Sequence, residues 1–509
     1  LTIPLYGKLG SEFMPPLNEG TMLYMPTSVP GISITEASRI LNIQDKVIKT
    51  VPEVDHVFGK IGRADTSTDP APLNMVETVI TFKPREQWRE GMTWDKMIDE
   101  LDGKLQVPGM PKIWWMPIQT RTEMLATGIR SALGIKILGP DLKVIEELGI
   151  QMEPILKKID GTRSVFAERV VGGHYIDFVI NRREAGRYGL SIQDIEDVIE
   201  TAIGGKNITQ TIEGRERYPV NLRYSREYRD NIEALERILV PTPLGMHIPI
   251  SQVAEIKLTP GPPSIRDENG SLAGFVFVDV KDRDIGSYVK DAKEAIQENI
   301  TLPAGYRLVW AGQYQYMERA KEKLKIMVPL TLLIIFILLY LNFESVAKTL
   351  IVFLSVPFAF IGSILILYLL DYDMSVATWV GIIALAGVAA ETGVIMLVYL
   401  DEAYERRKQS GQMNTLNDLQ EGVIEGAVKR VRPKIMTVSA TIAGLLPIMW
   451  SHGTGAEVMS RIAAPMIGGM VSSTILTLIV IPVLFTLVKQ WEGLPKENGK
   501  KGGRQAGAE

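Results

Sequence analysis

One carboxylate stands apart from every other ionisable group in the sequence. Glu391 is the only charge between residues 374 and 400, MSVATWVGIIALAGVAAETGVIMLVYL. That stretch is long enough to cross the hydrocarbon core of a bilayer as a helix. A carboxyl group at that depth costs roughly 2–3 kcal/mol on insertion scales, so acids kept there generally serve a purpose such as moving protons. Ala384, Gly387 and Val388 share its face at helical spacing, and the small residues among them admit a close neighbouring helix. The expectation is that Glu391 points into a helix bundle. Lys434 follows RVRP and opens another apolar stretch; it is the cation that would meet Glu391 across a helix interface. An acid held between burial and a nearby ammonium is poised to load and release protons. The plainer alternatives are a hydrogen-bonded packing role for Glu391 and a snorkelling lysine at the membrane surface.

The elements that must position this pair are apolar segments of membrane-spanning length. Five qualify: 326–343, 349–370, 374–400, 435–456 and 462–488, and together they predict an all-α transmembrane bundle in a lipid bilayer. Residues 401–434 carry Arg406, Arg407, Lys408, Lys429, Arg430, Arg432 and Lys434. Basic loops face the cytoplasm, which puts the globular residues 1–325 outside and the tail 489–509 inside. The composition of the tail, KENGKKGGRQAGAE, predicts disorder.

The globular part repeats a pattern. Strand-like TMLYMPTSVPG, helical 34–51 capped by Ser33, and strand-like VDHVFGKIG are followed by NMVETVITFKP, WDKMIDELDGKL and KIWWMPIQ. IKILGP, LKVIEELGIQMEPILKKI and GTRSVFAERV repeat the order, as do GFVFVDVKDRD, IGSYVKDAKEAIQENI and YRLVWAGQY. Repeated strand–helix–strand units predict an α+β fold of ferredoxin-like modules. Residues 178–267 differ and read as an inserted subdomain.

Composition excludes several classes. The 509 residues include no cysteine, so disulfides, zinc–thiolate sites and thiol nucleophiles are ruled out. No Ser/His/Asp set, HExxH motif or phosphate loop with lysine supports an enzyme. No basic field suits nucleic acid: the net charge is −4. The first residue is Leu and no signal peptide precedes the globular part, so a missing N-terminal half is expected to carry that part across the membrane.

GVAAETGVIML (387–397), RVRPKIMTV (430–438), AGLLPIMW (443–450) and EVMSRIAAPMIGGM (457–470) resemble the heavy-metal efflux branch of the RND transporters, nearest its CusA-type copper/silver pumps. KLGSEFMPPLNEG (8–20), KPREQWREGMT (84–93) and RTEMLATGIRS (121–131) are similar to the same proteins. The resemblance implies the C-terminal half of an inner-membrane pump, starting after its seventh span. It implies a homotrimer driven by protons that delivers metal to an outer-membrane channel through a periplasmic adaptor. It divides the chain into porter subdomains at 1–133 and at 134–177 with 268–325, and a docking subdomain at 178–267. Glu391 and Lys434 match the family's proton relay, whose other acid lies in the missing half. Met124 matches one thioether of a triad for Cu(I) or Ag(I), ions that suit soft, neutral sulfur, and Met459 matches a relay methionine.

Three positions depart from the pattern. The other two triad positions appear as Leu190 and Leu244, and an outer relay methionine as Ile285. Met246 and His247 would then replace a lost ligand, and imidazole also suits Zn(II). His56, His174 and His452 have no clustered partners and receive no role. No cofactor is expected besides the transported ion. The alternatives are a divalent-ion (Zn, Co, Cd) exporter, an RND-type hydrophobe exporter or translocation subunit, and a membrane-anchored sensor.

Overall fold

The computed structural model describes residues 2–15, 17–28, 30–63, 71–451 and 453–493. His452 and the tail from residue 494 lie outside them. The chain divides into two compact units, one of Leu1–Ser28, Ser33–Glu168 and Arg266–Glu509, the other of Val29–Ile32 and Arg169–Ile265.

The first unit begins with a short helix, α1 (Thr2–Tyr6), and then contains two sheets of the same layout. In the first, β1 (Thr21–Tyr24), α2 (Ile34–Ile48), β2 (Val54–Ile61), β3 (Val76–Phe82), α3 (Trp94–Lys104) and β4 (Trp114–Trp115) give the strand order β2-β3-β1-β4. Ser33 starts α2 by accepting the Glu36 N–H, and Thr93 caps α3 in the same way. Met22, Tyr24, Ile80, Met97 and Leu101 fill the core between helices and sheet.

The second sheet uses β5 (Leu133–Gly139), α5 (Leu142–Lys157), β6 (Thr162–Ala167), a short β13 (Asp267–Glu268), β14 (Ser271–Val280), α9 (Ile285–Asn299) and β15 (Arg307–Gly312). β14 pairs with β6 and β5, and β5 pairs with β15, all antiparallel. Its order, β6-β14-β5-β15, matches the first sheet strand for strand. Ile135, Ile137, Leu148, Met152, Val276, Tyr288 and Ile296 form its core. Each fully buried side chain of this kind contributes roughly 1.5–3 kcal/mol.

One helix escapes the sequence reading. α4 (Pro117–Thr127) follows β4 directly, where the sequence is read as continuing strand. Its apolar periodicity is weak, but its ends are marked: Pro117 opens it, and Gly128 closes it in the left-handed region at φ +76.

α10 (Gln313–Phe343) leaves β15 at Gly312, whose φ is +79 and where a Cβ would stand 2.6 Å from the Ala132 carbonyl oxygen. α11 (Val346–Leu369), α12 (Val376–Gln409), α13 (Leu416–Met449) and α14 (Ala456–Glu492) complete a helical bundle. Glycines let the helices touch. A Cβ on Gly362 would lie 2.0 Å from the Gly468 carbonyl oxygen, and one on Gly381 would lie 2.3 Å from that of Ile462.

Length and composition alone support fewer than the five expected spans. Among the described residues, α10, α11 and α12 are long and apolar enough to cross a membrane, and α14, bent by 43°, makes a fourth if its two parts count as one. α13 falls short because its first half is charged and it ends at Met449, so its apolar part, 435–449, is shorter than the ~20 residues a span requires. The basic residues expected in a long loop sit instead on helical extensions of α12 and α13. There Arg406 and Arg407 pair with Glu425, and Arg407 also pairs with Glu421.

The second unit holds α6 (Arg182–Arg187), α7 (Ile192–Val198), α8 (Ile232–Glu236) and three strand pairs. These are β7 (Gly173–Ile180) with β12 (Ala254–Gly261), β8 (Lys206–Glu213) with β9 (Glu216–Leu222), and β10 (Leu239–Pro241) with β11 (His247–Pro249). Leu190, Ile195, Leu235, Val240 and Ile250 belong to its core.

Candidate metal site and proton-relay residues

Met124 lies on α4, half-buried against a cluster that contains two further buried methionines, Met25 at 1% and Met75 at 4% exposure. The backbone brings those two together. Met25 follows β1 and Met75 precedes β3; the pairing continues beyond the strands, with Thr27 bridging Met75 and the Val76 N–H donating to the Pro26 carbonyl at 3.1 Å. Three thioethers from three elements therefore share one apolar cluster.

Met75 and Met124 line a cavity of about 350 Å³. Its far wall is Phe275 and Phe277 on β14, set edge to face with centroids 6.2 Å apart. Cations cover these rings: Arg130 lies 4.4 Å from the Phe277 centroid and Arg266 4.9 Å from that of Phe275. The acids on the wall are largely answered, since Glu168 pairs with Arg266 and Glu268 with Lys136. Burial pulls the Arg130 guanidinium down to about 10, against an opposing pull from Glu168. Next to Met124, Glu123 is buried, its Oε2 lacks a hydrogen-bond partner, and burial pushes its carboxyl up to about 7.

The other expected ligands lie elsewhere. Leu190 is in the core of the second unit, and Leu244 is 81% exposed. Met246 and His247 form the exposed end of the β10–β11 turn, where the Thr242 N–H donates to the Met246 carbonyl at 2.7 Å. Both belong to the second unit, whereas Met124 belongs to the first. Met459 is half-exposed near the start of α14, and Ile285 is buried at the start of α9. Among the described residues, no group of three or more His, Asp or Glu is placed to hold a metal ion. The three-methionine cluster is thus a candidate soft-ligand set that sequence reasoning missed. Met25 and Met75 lie far from Met124 in sequence, and only strand pairing assembles them.

In the bundle, Lys434 is 4% exposed on α13 and its Nζ has no hydrogen-bond partner. Glu391 is exposed on α12 and forms no ion pair with it. Gly387, one turn before Glu391, would have nothing within 4 Å of a Cβ. The small-residue face that was expected to point into a bundle is open here.

A model of the AcrB/AcrD/AcrF family matches residues 1–489. The cation efflux system protein CusA of Escherichia coli (strain K12) is 48% identical over 483 residues, covering 94% of this chain and 46% of that protein. The cobalt-zinc-cadmium resistance protein CzcA of Cupriavidus metallidurans is 35% identical over 497 residues, covering 96% of this chain and 46% of the relative. A crystal structure of a heavy metal efflux pump superposes with a TM-score of 0.85 at 27% identity, covering 96% of this chain and 49% of that one. The chain spans about half the length of the curated relatives it matches. Sequence and structure agree over nearly the whole chain, and the chain belongs to the AcrB/AcrD/AcrF family.

Proposed function

We propose that this chain is the C-terminal half of a proton-driven heavy-metal exporter whose cargo is Cu(I) or Ag(I). The observation that carries the choice of ion is the set Met25, Met75 and Met124 in one cluster beside a cavity. Neutral thioethers bind soft monovalent cations and need no deprotonation. The similarity to CusA supports the same reading. This set needs no contribution from Met246 and His247. The divalent-ion alternative draws on CzcA and on the wall acids Glu168, Asp267 and Glu268. Two of those are already paired with cations, which leaves too few free oxygens for a hard ion.

The two matching sheets are, in this reading, copies of a ferredoxin-like porter module, and the second unit is the docking subdomain. α10 to α14 are membrane helices, with α13 crossing through its packing against α12 and α14. Lys434 is a buried cation without a partner, which is costly unless an anion faces it. Glu391 on its open face and an acid from the other half of the pump supply the rest of a proton relay. The machine is a secondary transporter in the bacterial inner membrane. It works as a homotrimer with a periplasmic adaptor and an outer-membrane channel.

The test is metal binding and transport by the full-length protein. Ag(I) should bind tightly and move under a proton gradient, and Met124→Leu should weaken binding. Tight Zn(II) binding without Ag(I) binding would defeat the copper/silver reading.

A further inference from the structure

Residues 10–13 run as a strap between two parts of the first unit. On one side the Ser11 N–H donates to Asp284 Oδ2 at 2.9 Å, and the Gly286 N–H donates to the Ser11 carbonyl at 3.1 Å. These bonds tie the strap to the first turn of α9. On the other side the Met374 N–H donates to the Gly10 carbonyl at 2.9 Å and the Glu12 N–H to the Met374 carbonyl at 3.0 Å. The Val376 N–H donates to the Phe13 carbonyl at 3.0 Å. These tie it to the turn between α11 and α12. The fit is close: a Cβ on Gly10 would stand 2.3 Å from Asp373 Oδ1.

Glu12 reaches from the strap toward α14. Its Oε1 lies 3.5 Å from Arg461 Nε, with the two side chains 14% and 18% exposed. The guanidinium in turn lies over the Tyr372 ring, 4.6 Å from its centroid. The charged groups that act on Glu12 are Arg461 on α14, Asp373 in the turn and Asp284 at the start of α9; Asp371 acts in turn on Asp373, and Glu457 lies one turn before Arg461 on α14. Glu318, Lys321 and Lys325 of α10 line the same cavity of about 600 Å³ as Glu12, which gives the carboxyl a route to solvent. Burial, opposed by Arg461 and reinforced by Asp373 and Asp284, pushes the Glu12 carboxyl up to about 7.

We propose that this strap carries movement of the membrane helices into the second sheet, and that the Glu12–Arg461 pair is a catch holding α14 to the strap until Glu12 takes a proton. The inference rests on the reading of the chain as half of a proton-driven exporter. The physical ground is a difference in kind between the contacts. The bonds from the strap to Gly286, Met374 and Val376 join backbone groups that do not titrate, and the one carboxylate acceptor, Asp284, is held below its usual range because its burial is outweighed by hydrogen bonds from Ser287 and Ser11. The link to α14 is an ion pair, and its Coulomb attraction is lost when Glu12 becomes neutral.

The test uses the full-length protein in proteoliposomes with Ag(I), varying external pH while the pH difference across the membrane is held constant. Glu12 passes from mostly protonated at pH 6 to mostly ionised at pH 8, so wild-type flux should change roughly tenfold across that range. Glu12→Gln and Arg461→Gln should each flatten this dependence while Ag(I) affinity stays within about twofold, since neither lies in the sulfur cluster. A Ser11→Cys/Gly286→Cys pair should lock the strap to α9 without stopping transport. The Cβ of residue 286 would lie 3.3 Å from that of Ser11, near disulfide range. A wild-type pH profile in either single variant, or loss of flux on forming the disulfide, would overturn the proposal. Wild-type vesicles that move no metal under a proton gradient would instead overturn the exporter reading itself, and the inference with it.

Discussion

Replacing Glu123 by glutamine tests the electrostatics beside the sulfur cluster. Glu123 is 5% exposed on the buried face of α4, next to Met124, and its Oε2 lacks a hydrogen-bond partner. Burial raises its carboxyl from 4.5 to about 7, a shift of about 2.5 units that corresponds to roughly 3 kcal/mol. An acid whose folded value is raised binds its proton more tightly in the folded state than in the unfolded chain. Below 4.5 both states are protonated and there is no penalty. From 4.5 to 7 the unfolded chain ionises while the folded protein does not, so stability falls; above 7 the full penalty is present. Glu123→Gln keeps the shape and removes the charge. The variant should match wild type near pH 4 and exceed it by about 2–3 kcal/mol at pH 8, less whatever the amide loses by lacking partners of its own. The assay is unfolding of the detergent-solubilised full-length protein at pH 4, 6 and 8. A difference between variant and wild type that is the same at all three values would refute the reasoning.

The other expectations concern the metal cluster and the bundle. Met75→Leu and Met124→Leu are near volume-conserving swaps, which should cost under about 1.5 kcal/mol of stability. Each should still weaken Ag(I) binding at least about tenfold by removing one sulfur, as read by competition titration. His247→Ala, in an exposed turn of the second unit, should leave that affinity unchanged. Glu391→Gln and Lys434→Ala should each abolish metal transport in proteoliposomes while sparing metal binding, and wild-type flux in either would remove the relay assignment. Gly362→Leu should disrupt the bundle, because even a Cβ there would stand 2.0 Å from the Gly468 carbonyl oxygen, and circular dichroism melts should show it.

Much of this architecture was legible because physics constrains it tightly. A bilayer demands long apolar helices, and the long apolar helices α10, α11, α12 and α14 were legible in composition. The two sheets declared themselves through repeated strand–helix–strand periods. α13 is the least span-like of the five, because charge and apolarity share one continuous helix, and the end of its apolar run at Met449 is marked by Ser451, Gly453 and Gly455 just beyond it. α4 was missed because its helical signal lies in its ends, Pro117 and Gly128, and not in its periodicity. The methionine cluster was half legible. Met124 could be named from a motif, but Met25 and Met75 become its neighbours only through β1–β3 pairing, which no local pattern reports. The resemblance set Leu190, in RYGLSI, and by spacing Leu244 at the other two ligand positions, and the fold uses the first as core and leaves the second exposed. The pairing of Glu391 with Lys434 rested on two charges in apolar sequence. The helices carry both residues, yet Glu391 is on an open face and Lys434 is enclosed.

The central claim is that soft sulfur, and not oxygen or nitrogen, receives the ion. X-ray absorption at the metal edge of the full-length protein loaded with one equivalent of Cu(I) or Ag(I) examines this directly. The account expects a first shell of sulfur alone that loses one scatterer in Met75→Leu. A shell of oxygen or nitrogen atoms, unchanged in that variant, would contradict it.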